Sequence, residues 1–230
     1  MAIIKEFMSE GGDVGSTLLV DKYDLGVSSA TIRSEMCRLM DMGFLHKSHI
    51  SSGRRPTDQA IRLYIKDVIE DADLDALDSA EIRQELYRVR FSPEQLLRSI
   101  LKTLSQRSRA ASFITVDNDL RYHGVSNLMG YEELRRVKIL QRVIELLEDD
   151  NFLRNLISKY ENVDVSVLIG AETGIEDFGS LSLAFTKLPF WKDRNGYMGV
   201  VGSRRLDYSK VIPLMNTIKN SVESSLRGWN

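Results

Sequence analysis

The chain has 230 residues, of which 43% are hydrophobic and 28% are charged, so it contains enough apolar material for a buried core. This composition excludes a wholly disordered protein, and the single cysteine, Cys37, excludes an internal disulfide. No apolar run approaches the roughly 18 residues that span a bilayer, and residues 1–10 lack the pattern of a signal peptide. We therefore expect a cytoplasmic protein of one large or two small domains.

The charge is distributed unevenly along the chain, although the formal net charge is only -2. Residues 28–66 contain seven basic side chains against three acidic ones, whereas residues 67–85 contain eight acidic side chains and one basic side chain, Arg83. The basic stretch is a candidate surface for a polyanion, with a solvated helix of mixed charge as the alternative. The abrupt change of sign predicts a domain boundary, and we assign residues 67–91 to an acidic linker.

Residues 1–66 are predicted to contain a helix-turn-helix. After a short first helix, Ser16 is a plausible N-cap for a second helix, and Ser28 caps a third helix that runs to about Asp41. Two helices joined by a tight turn at Gly26, the second capped by serine, are typical of the motif. Apolar residues at helical spacing are predicted to face inward, and they are Leu18, Leu19, Tyr23, Ile32, Met36, Leu39 and Met40.

The outer face of the third helix has the features of a surface that enters the major groove of DNA. Small side chains at Ala30 and Ser34 allow the helix into a groove about 12 Å wide, and Arg33 and Arg38 are long donors for a base edge or a phosphate. Hydroxyls and free N–H groups at the helix N-terminus suit a phosphate. The residues assigned to DNA contact on this helix are Ser28, Ser29, Ala30, Thr31, Arg33, Ser34 and Arg38.

An extended segment after the third helix, a Ser/Gly tip and a return strand predict a β-hairpin wing. Arg54 and Arg55 beside Gly53 can reach phosphates or a minor groove, and Pro56 ends the strand that bears them. Asp58 is a plausible cap for the helix that follows. The wing residues assigned to DNA contact are Lys47, His49, Ser51, Ser52, Arg54 and Arg55.

Residues 92–230 are predicted to form an α+β domain, because helices and strands occur there without a βαβ rhythm. Ser92 as N-cap and Pro93 in the first turn begin a helix that runs to about Arg109. Further helices are predicted over residues 131–147, 152–159 and 209–226, and strands over residues 112–116, 163–169, 181–187 and 197–201.

Motifs at both ends of the chain resemble the HrcA family of heat-inducible transcription repressors. The N-terminal motifs are residues 26–33, Gly-Val-Ser-Ser-Ala-Thr-Ile-Arg, with Met36 and residues 43–45, Gly-Phe-Leu, and the wing at residues 49–58, His-Ile-Ser-Ser-Gly-Arg-Arg-Pro-Thr-Asp. The C-terminal motifs are residues 167–172, Val-Leu-Ile-Gly-Ala-Glu, and residues 199–209, Gly-Val-Val-Gly-Ser-Arg-Arg-Leu-Asp-Tyr-Ser. The chain departs from the family pattern at Arg55, where an aliphatic residue is usual, and at Ser203, Arg204 and Leu206, which replace Pro, Thr and Met.

The resemblance implies a winged helix-turn-helix over residues 1–66, followed by a reduced GAF-like regulatory and dimerisation domain over residues 92–230. It also implies a homodimer on an inverted-repeat operator of chaperone genes, with the chaperonin GroEL keeping the repressor active. Family members are typically longer, and residues 93–124 leave too little chain for most of the family's central GAF-like sheet and its inserted dimerisation region.

No catalytic constellation is present in the sequence, so we expect neither an enzyme nor a cofactor. His46 and His49 have a spacing that can bind a metal, but they lack acidic or cysteine partners nearby, which favours a structural or phosphate-contacting role. Arg204 and Arg205 either bind a small anion or pair with Asp207, and pairing is the favoured alternative. The competing functions are a metabolic repressor that responds to a small molecule and a winged-helix module that binds protein.

Overall fold

The computed structural model describes residues 1–47, 53–71, 73–117, 119–160, 164–190 and 195–227. Helices and antiparallel sheets occur together, which confirms the prediction of an α+β protein. Contacts within the chain divide it into two compact units, Met1–Asp71 and Ala72–Asn230. Among the described residues, no helix is both long enough and apolar enough to cross a membrane.

The described residues of the N-terminal unit form four helices and a two-stranded sheet. In chain order these are α1 Ala2–Glu10, α2 Ser16–Lys22, α3 Ser29–Asp41, β1 Leu45–His46, β2 Arg55–Pro56 and α4 Asp58–Asp71. Their buried apolar side chains form the core of the unit, and the main ones are Phe7, Leu19, Ile32, Met36, Leu45, Ile61 and Ile65. The predicted inner stripe is only partly correct, because Leu18 is exposed and Leu39 and Met40 are half-buried.

Capping explains where the helices of this unit begin. Ser28 caps α3 as predicted, because its Oγ accepts a hydrogen bond of 3.2 Å from the backbone N–H of Thr31. The N-cap of α2 is Gly15 rather than Ser16. The cap of α4 is Thr57 rather than the predicted Asp58. The hydroxyl of Thr57 accepts a hydrogen bond of 3.3 Å from the backbone N–H of Ala60.

A buried carboxylate ties α1 to α2. The side chain of Glu6 is only 2% exposed, and it accepts hydrogen bonds from Lys22 Nζ at 2.9 Å and from Tyr23 Oη at 3.3 Å. The hydrogen bond to Glu6 raises the pKa of Lys22, and burial beside the same carboxylate raises the pKa of Tyr23. A buried charge is stable only with such partners, so Glu6 fixes the packing of the first two helices.

Val14 forms a β-bridge that adds a third extended segment to the two-stranded sheet. Its backbone N–H donates to the carbonyl of Arg54 at 2.9 Å, and the N–H of Arg54 donates back at 2.8 Å. The strands β1 and β2 pair antiparallel beside this bridge. Gly53 is required for the approach, because a Cβ there would lie 2.5 Å from the carbonyl oxygen of Val14.

The C-terminal unit contains five helices and five strands among its described residues. In chain order these are α5 Ala76–Val89, α6 Pro93–Ser108, β3 Ala111–Val116, β4 Asp119–His123, α7 Val137–Glu148, α8 Asp150–Ile157, β5 Ser166–Ile169, β6 Leu181–Pro189, β7 Asn195–Ser203 and α9 Tyr208–Arg227. The strands form one antiparallel sheet in the order β4-β3-β7-β6-β5. Ser92 caps α6 and Pro93 is in its first turn, as predicted.

Helices cover both faces of this sheet. On one face α6 and α9 contact the strands, and α5 packs on these two helices. On the other face, a cluster of buried side chains from α7, α8 and neighbouring 3-10 turns packs on Phe113, Leu183 and Val201 of the sheet. Every residue of β3 is buried, as expected for a strand covered on both sides.

Three segments of this unit differ from the sequence predictions. The stretch assigned to an acidic linker contains α5, whose Asp78 and Glu81 pair with Arg107 of α6 at 2.5 and 2.9 Å. Residues 93–124 hold α6, β3 and the unpredicted strand β4, so the sheet is larger than expected. Residues 132–134, predicted to be α-helical, form a 3-10 turn that precedes α7.

Arg205 pairs with Glu133, and the predicted pairing with Asp207 is wrong. Its Nε and Nη2 donate to the two carboxylate oxygens of Glu133 at 2.7 and 3.0 Å, and Ser203 Oγ donates to the same carboxylate at 2.6 Å. Asp207 instead pairs with Lys210 at 3.3 Å. Burial opposes ionisation of Glu133, but the hydrogen bonds from Arg205 and Ser203 outweigh it and lower the pKa of this carboxyl group.

The close approach at Gly53 generates a first prediction. Gly53→Ala places a methyl group against the Val14 carbonyl, and we expect a loss of about 1–3 kcal/mol of local stability. Faster hydrogen exchange at the amides of Val14 and Arg54 would report it. Gly12→Ala is the matched control, because a Cβ at Gly12 meets nothing within 4 Å. Equal exchange in both variants would contradict the steric argument.

The Glu133 site generates a prediction about pH. Because the pKa of Glu133 is lower in the folded state, its stabilisation is present above the pKa of the unfolded chain and is lost as pH falls through the folded value. At neutral pH we expect Glu133→Gln to lower the free energy of unfolding by about 1–3 kcal/mol. Denaturant titrations should show the difference from wild type shrinking in acid, while Glu132→Gln, at an exposed neighbouring position, has little effect. A difference that is independent of pH would show that ionisation of Glu133 is not involved.

Candidate nucleic-acid interface

Helix α3 presents an exposed face along its whole length. Only Ile32 and Met36 of its residues are buried, so the core of the unit uses one narrow side of the helix. The predicted contact residues on this helix are all exposed, and they are Ser28 at the cap and Ser29, Ala30, Thr31, Arg33, Ser34 and Arg38. Ala30, Arg33 and Ser34 share one face by their spacing, which leaves a surface of small side chains beside a long cation.

The N-terminus of α3 combines an exposed cap with backbone donors. The hydroxyl oxygens of Ser28 and Thr31 lie 3.0 Å apart and hydrogen-bond to each other, which fixes both side chains at the first turn. The first N–H groups of a helix have no acceptor within the helix, and Ser29 and Ala30 occupy these positions. An anion placed there meets N–H donors, two hydroxyls and the positive end of the helix dipole.

The two arginines of α3 have different surroundings. Among the described residues Arg33 makes no ion pair, so its guanidinium is available to a ligand. Arg38 Nη1 lies 3.9 Å from the carboxylate of Glu35, and the two side chains are 74% and 61% exposed. An exposed pair at this distance is weak and competes poorly with a phosphate or a base edge.

The two arginines of the predicted wing, Arg54 and Arg55, both make contacts within the unit. Arg55 Nε donates to Asp13 Oδ1 at 2.5 Å, and the two side chains are 42% and 19% exposed. Arg54 is half-buried, and its Nη1 donates to the carbonyl of Gly53 at 3.3 Å. Lys47 is exposed beyond β1. The structure therefore places three basic residues beside the sheet, two of them with fixed side chains.

Three predicted contact residues, His49, Ser51 and Ser52, lie outside the described residues. His46 is exposed in β1, and within the described ranges there is no group of three potential metal ligands.

Sequence reasoning missed the role of Asp13 and Val14. The run Gly11-Gly12-Asp13 indicates a helix break, and the structure does end α1 there, with Gly11 in the left-handed conformation. Nothing local, however, shows that Val14 pairs with Arg54 or that Asp13 meets a residue 42 positions away. An acidic residue just before a lone β-branched residue is too common a pattern to indicate a wing anchor.

Comparison with known proteins identifies relatives along most of the chain. Residues 39–212, more than half of the chain, match the family model described as the HrcA protein C terminal domain. The heat-inducible transcription repressor HrcA of Clostridium perfringens (strain SM101 / Type A) is 31% identical over 166 residues, which cover 72% of this chain and 48% of that protein. The protein of the same name from Leptospira biflexa is 24% identical over 318 aligned positions, which cover 93% of this chain and 92% of that protein.

A solved structure shares the fold of the whole chain. It is a crystal structure described as that of a hypothetical protein at 2.2 Å resolution, with a TM-score of 0.81, 16% identity and coverage of 100% of this chain and 97% of that one. The alignment with the Leptospira repressor is longer than the 230 residues of this chain, so that relative contains residues with no counterpart here. On the match of the family model, the chain belongs to the HrcA family.

Proposed function

We propose that the protein is a transcription repressor of heat-shock genes that binds duplex DNA through its N-terminal unit. The observation that carries the proposal is the exposed face of α3, which joins small side chains, a serine-capped N-terminus and Arg33, which pairs with none of the described residues. Membership of the HrcA family and the names of the relatives, heat-inducible transcription repressors, support the same function.

In this proposal residues 1–66 act as a winged helix-turn-helix, with α3 as the recognition helix. A major groove about 12 Å wide admits an α-helix whose outer side chains are short, as Ala30 and Ser34 are. Arg33 then reaches a base edge, and the Ser28 end of α3 meets a backbone phosphate.

The wing contributes charge beside the recognition helix. The bridge at Val14 and the pairing of β1 with β2 give the sheet three extended segments, and Arg54 and Arg55 lie on the segment that ends at Pro56. Because Asp13 orients the Arg55 guanidinium without burying it, that side chain loses little conformational entropy on meeting a phosphate. His49, Ser51 and Ser52 belong to the same proposed contact surface.

The C-terminal unit, in this proposal, pairs two chains through a GAF-like domain over residues 92–230, with residues 67–91 connecting it to the DNA-binding domain. A two-fold dimer presents two recognition helices to an inverted repeat. The partners are therefore operator DNA, a second copy of the chain and, from the family resemblance, the chaperonin GroEL. The protein acts in the cytoplasm, without a cofactor and without catalysis.

Binding of the full chain to chaperone promoter fragments of its own genome, against shuffled DNA, tests this function. The titrations use two salt concentrations, with and without the chaperonin. Saturable binding to an inverted repeat, tightened by the chaperonin, is the expected result. Weak and equal binding to both DNAs under every condition would overturn the repressor and favour a protein-interaction module.

Arg33 should contribute to the preference of the protein for operator DNA over other sequences. Arg33→Ala is expected to cost about 1–3 kcal/mol on the operator and less on shuffled DNA, because a lost base contact affects only the cognate sequence. Affinities from fluorescence anisotropy on both duplexes measure the difference. Arg83→Ala, an exposed position outside the proposed interface, is the matched control. Equal losses on both duplexes would assign Arg33 to the DNA backbone.

Arg54 and Arg55 should contribute to DNA affinity through electrostatic contacts with phosphates, whatever the base sequence. The double variant Arg54→Ala/Arg55→Ala is expected to weaken binding to all DNA and to reduce the slope of log affinity against log salt by about one to two units. A salt titration on operator and shuffled duplexes checks this. Hydrogen exchange at Val14 shows whether the wing still pairs in the variant. A paired wing with an unchanged slope would exclude these arginines from the phosphate contacts.

A further inference from the structure

Helix α7 carries an apolar stripe on its outer side. Val137, Leu140 and Ile144 lie at i, i+3 and i+7, which places them on one face of an α-helix. Val137 is 80% exposed and Ile144 38%, while Leu140 is partly buried at the edge of the core. A separate face of α7 fills the core below the sheet, with Ile139, Val143, Leu146 and Leu147. Packing within the described part of the unit therefore accounts for Leu140 but leaves Val137 and Ile144 uncovered.

The charges at the ends of α7 oppose the helix dipole. Arg136 and Lys138 stand at its N-terminus, Glu145 and Glu148 stand near its C-terminus, and neither end carries the compensating charge in its terminal turn. A helix N-terminus has a partial positive charge and its C-terminus a partial negative charge, so this arrangement destabilises the isolated helix. Such a pattern requires a reason outside the helix itself.

Two of these charges lack partners. Lys138 pairs with Asp177 at 2.7 Å, and Glu145 pairs with Arg142 at 2.9 Å. Arg136 and Glu148 are both exposed, and neither side chain makes an ion pair or a hydrogen bond with a described residue. The unpartnered cation and the unpartnered anion therefore stand at opposite ends of the uncovered stripe.

A second copy of α7, packed antiparallel, satisfies both features at once. If Leu140 lies opposite the partner's Ile144 across a two-fold axis, the midpoint of the pair is position 142 of the chain. Arg136 and Glu148 share that midpoint, so the same register sets Arg136 opposite the partner's Glu148, twice by symmetry. Antiparallel packing also places each positive helix end beside a negative one. The apolar stripe and the pair Arg136 and Glu148 therefore favour the same antiparallel register of the two α7 helices.

We propose that two copies of this chain pair through α7, antiparallel, with Leu140 and Ile144 at the centre, and Val137 beside the Arg136–Glu148 contacts at each edge. This inference rests on the proposed function, because a repressor that binds an inverted repeat requires a dimer, and pairing through α7 would supply it. One helix per chain makes a small interface, so the dimer is expected to depend on protein concentration and to tighten on operator DNA.

Charge reversal tests the register. Sedimentation equilibrium of the full chain compares wild type with Arg136→Glu, Glu148→Arg and the double variant. Each single reversal creates two like-charged contacts and should weaken the dimer about tenfold, whereas the double variant should recover most of the loss. Ile144→Glu puts a carboxylate beside the axis and should leave the protein monomeric. Arg98→Glu, at an 82% exposed position on α6, is the matched control and should dimerise normally.

Failure of this inference is distinguishable from failure of the repressor proposal. A monomeric wild type, single reversals without effect or a double variant as weak as the singles would overturn pairing through α7. Circular dichroism melting curves confirm that the variants are folded. Binding to a half-site duplex, measured in parallel, should be equal in wild type and monomeric variants. A wild type that dimerises through α7 but binds no duplex would overturn the repressor proposal and leave the dimer standing.

Discussion

The arrangement of the proposed DNA-binding surface depends on one close contact between backbones, that of Gly53 with Val14. A side chain at position 53 would collide with the Val14 carbonyl, so only glycine lets the bridge between Val14 and Arg54 form. This bridge joins the turn after α1 to the residue that precedes β2. It also brings Asp13 to Arg55, so the guanidinium of Arg55 is oriented through a backbone contact between neighbouring residues.

The small core of the N-terminal unit has a direct consequence for function. Helix α3 contributes only Ile32 and Met36 to that core, and the remaining surface of the helix is left for a ligand. Its attachment is nevertheless well defined, because Ser28 fixes the start of the helix and buried Glu6 locks α1 to the adjoining α2. A rigid helix with a free outer face loses little conformational entropy when it enters a groove, which favours specific binding.

The C-terminal unit differs from the N-terminal unit in the extent of its core. Its sheet is covered on both faces, and the half-buried carboxylate of Glu133 is paired with Arg205 and Ser203. Helix α7 adds to this an uncovered apolar stripe and, at its two ends, Arg136 and Glu148, which pair with none of the described residues. The proposed pairing through α7 would supply the two-fold contact that an inverted repeat requires.

Local patterns in the sequence determined the α+β class, the caps at Ser28 and Ser92 and most helices and strands, because helical periodicity, strand-forming runs and capping act over a few residues. They also indicated the outer face of α3, since small and basic residues recur there at helical spacing. Only the tertiary structure decided which charges meet. Arg55 finds Asp13 across 42 positions and Arg205 finds Glu133 across 72, rather than Asp207 nearby. Partners so distant are chosen by packing of the whole unit, which no local pattern records.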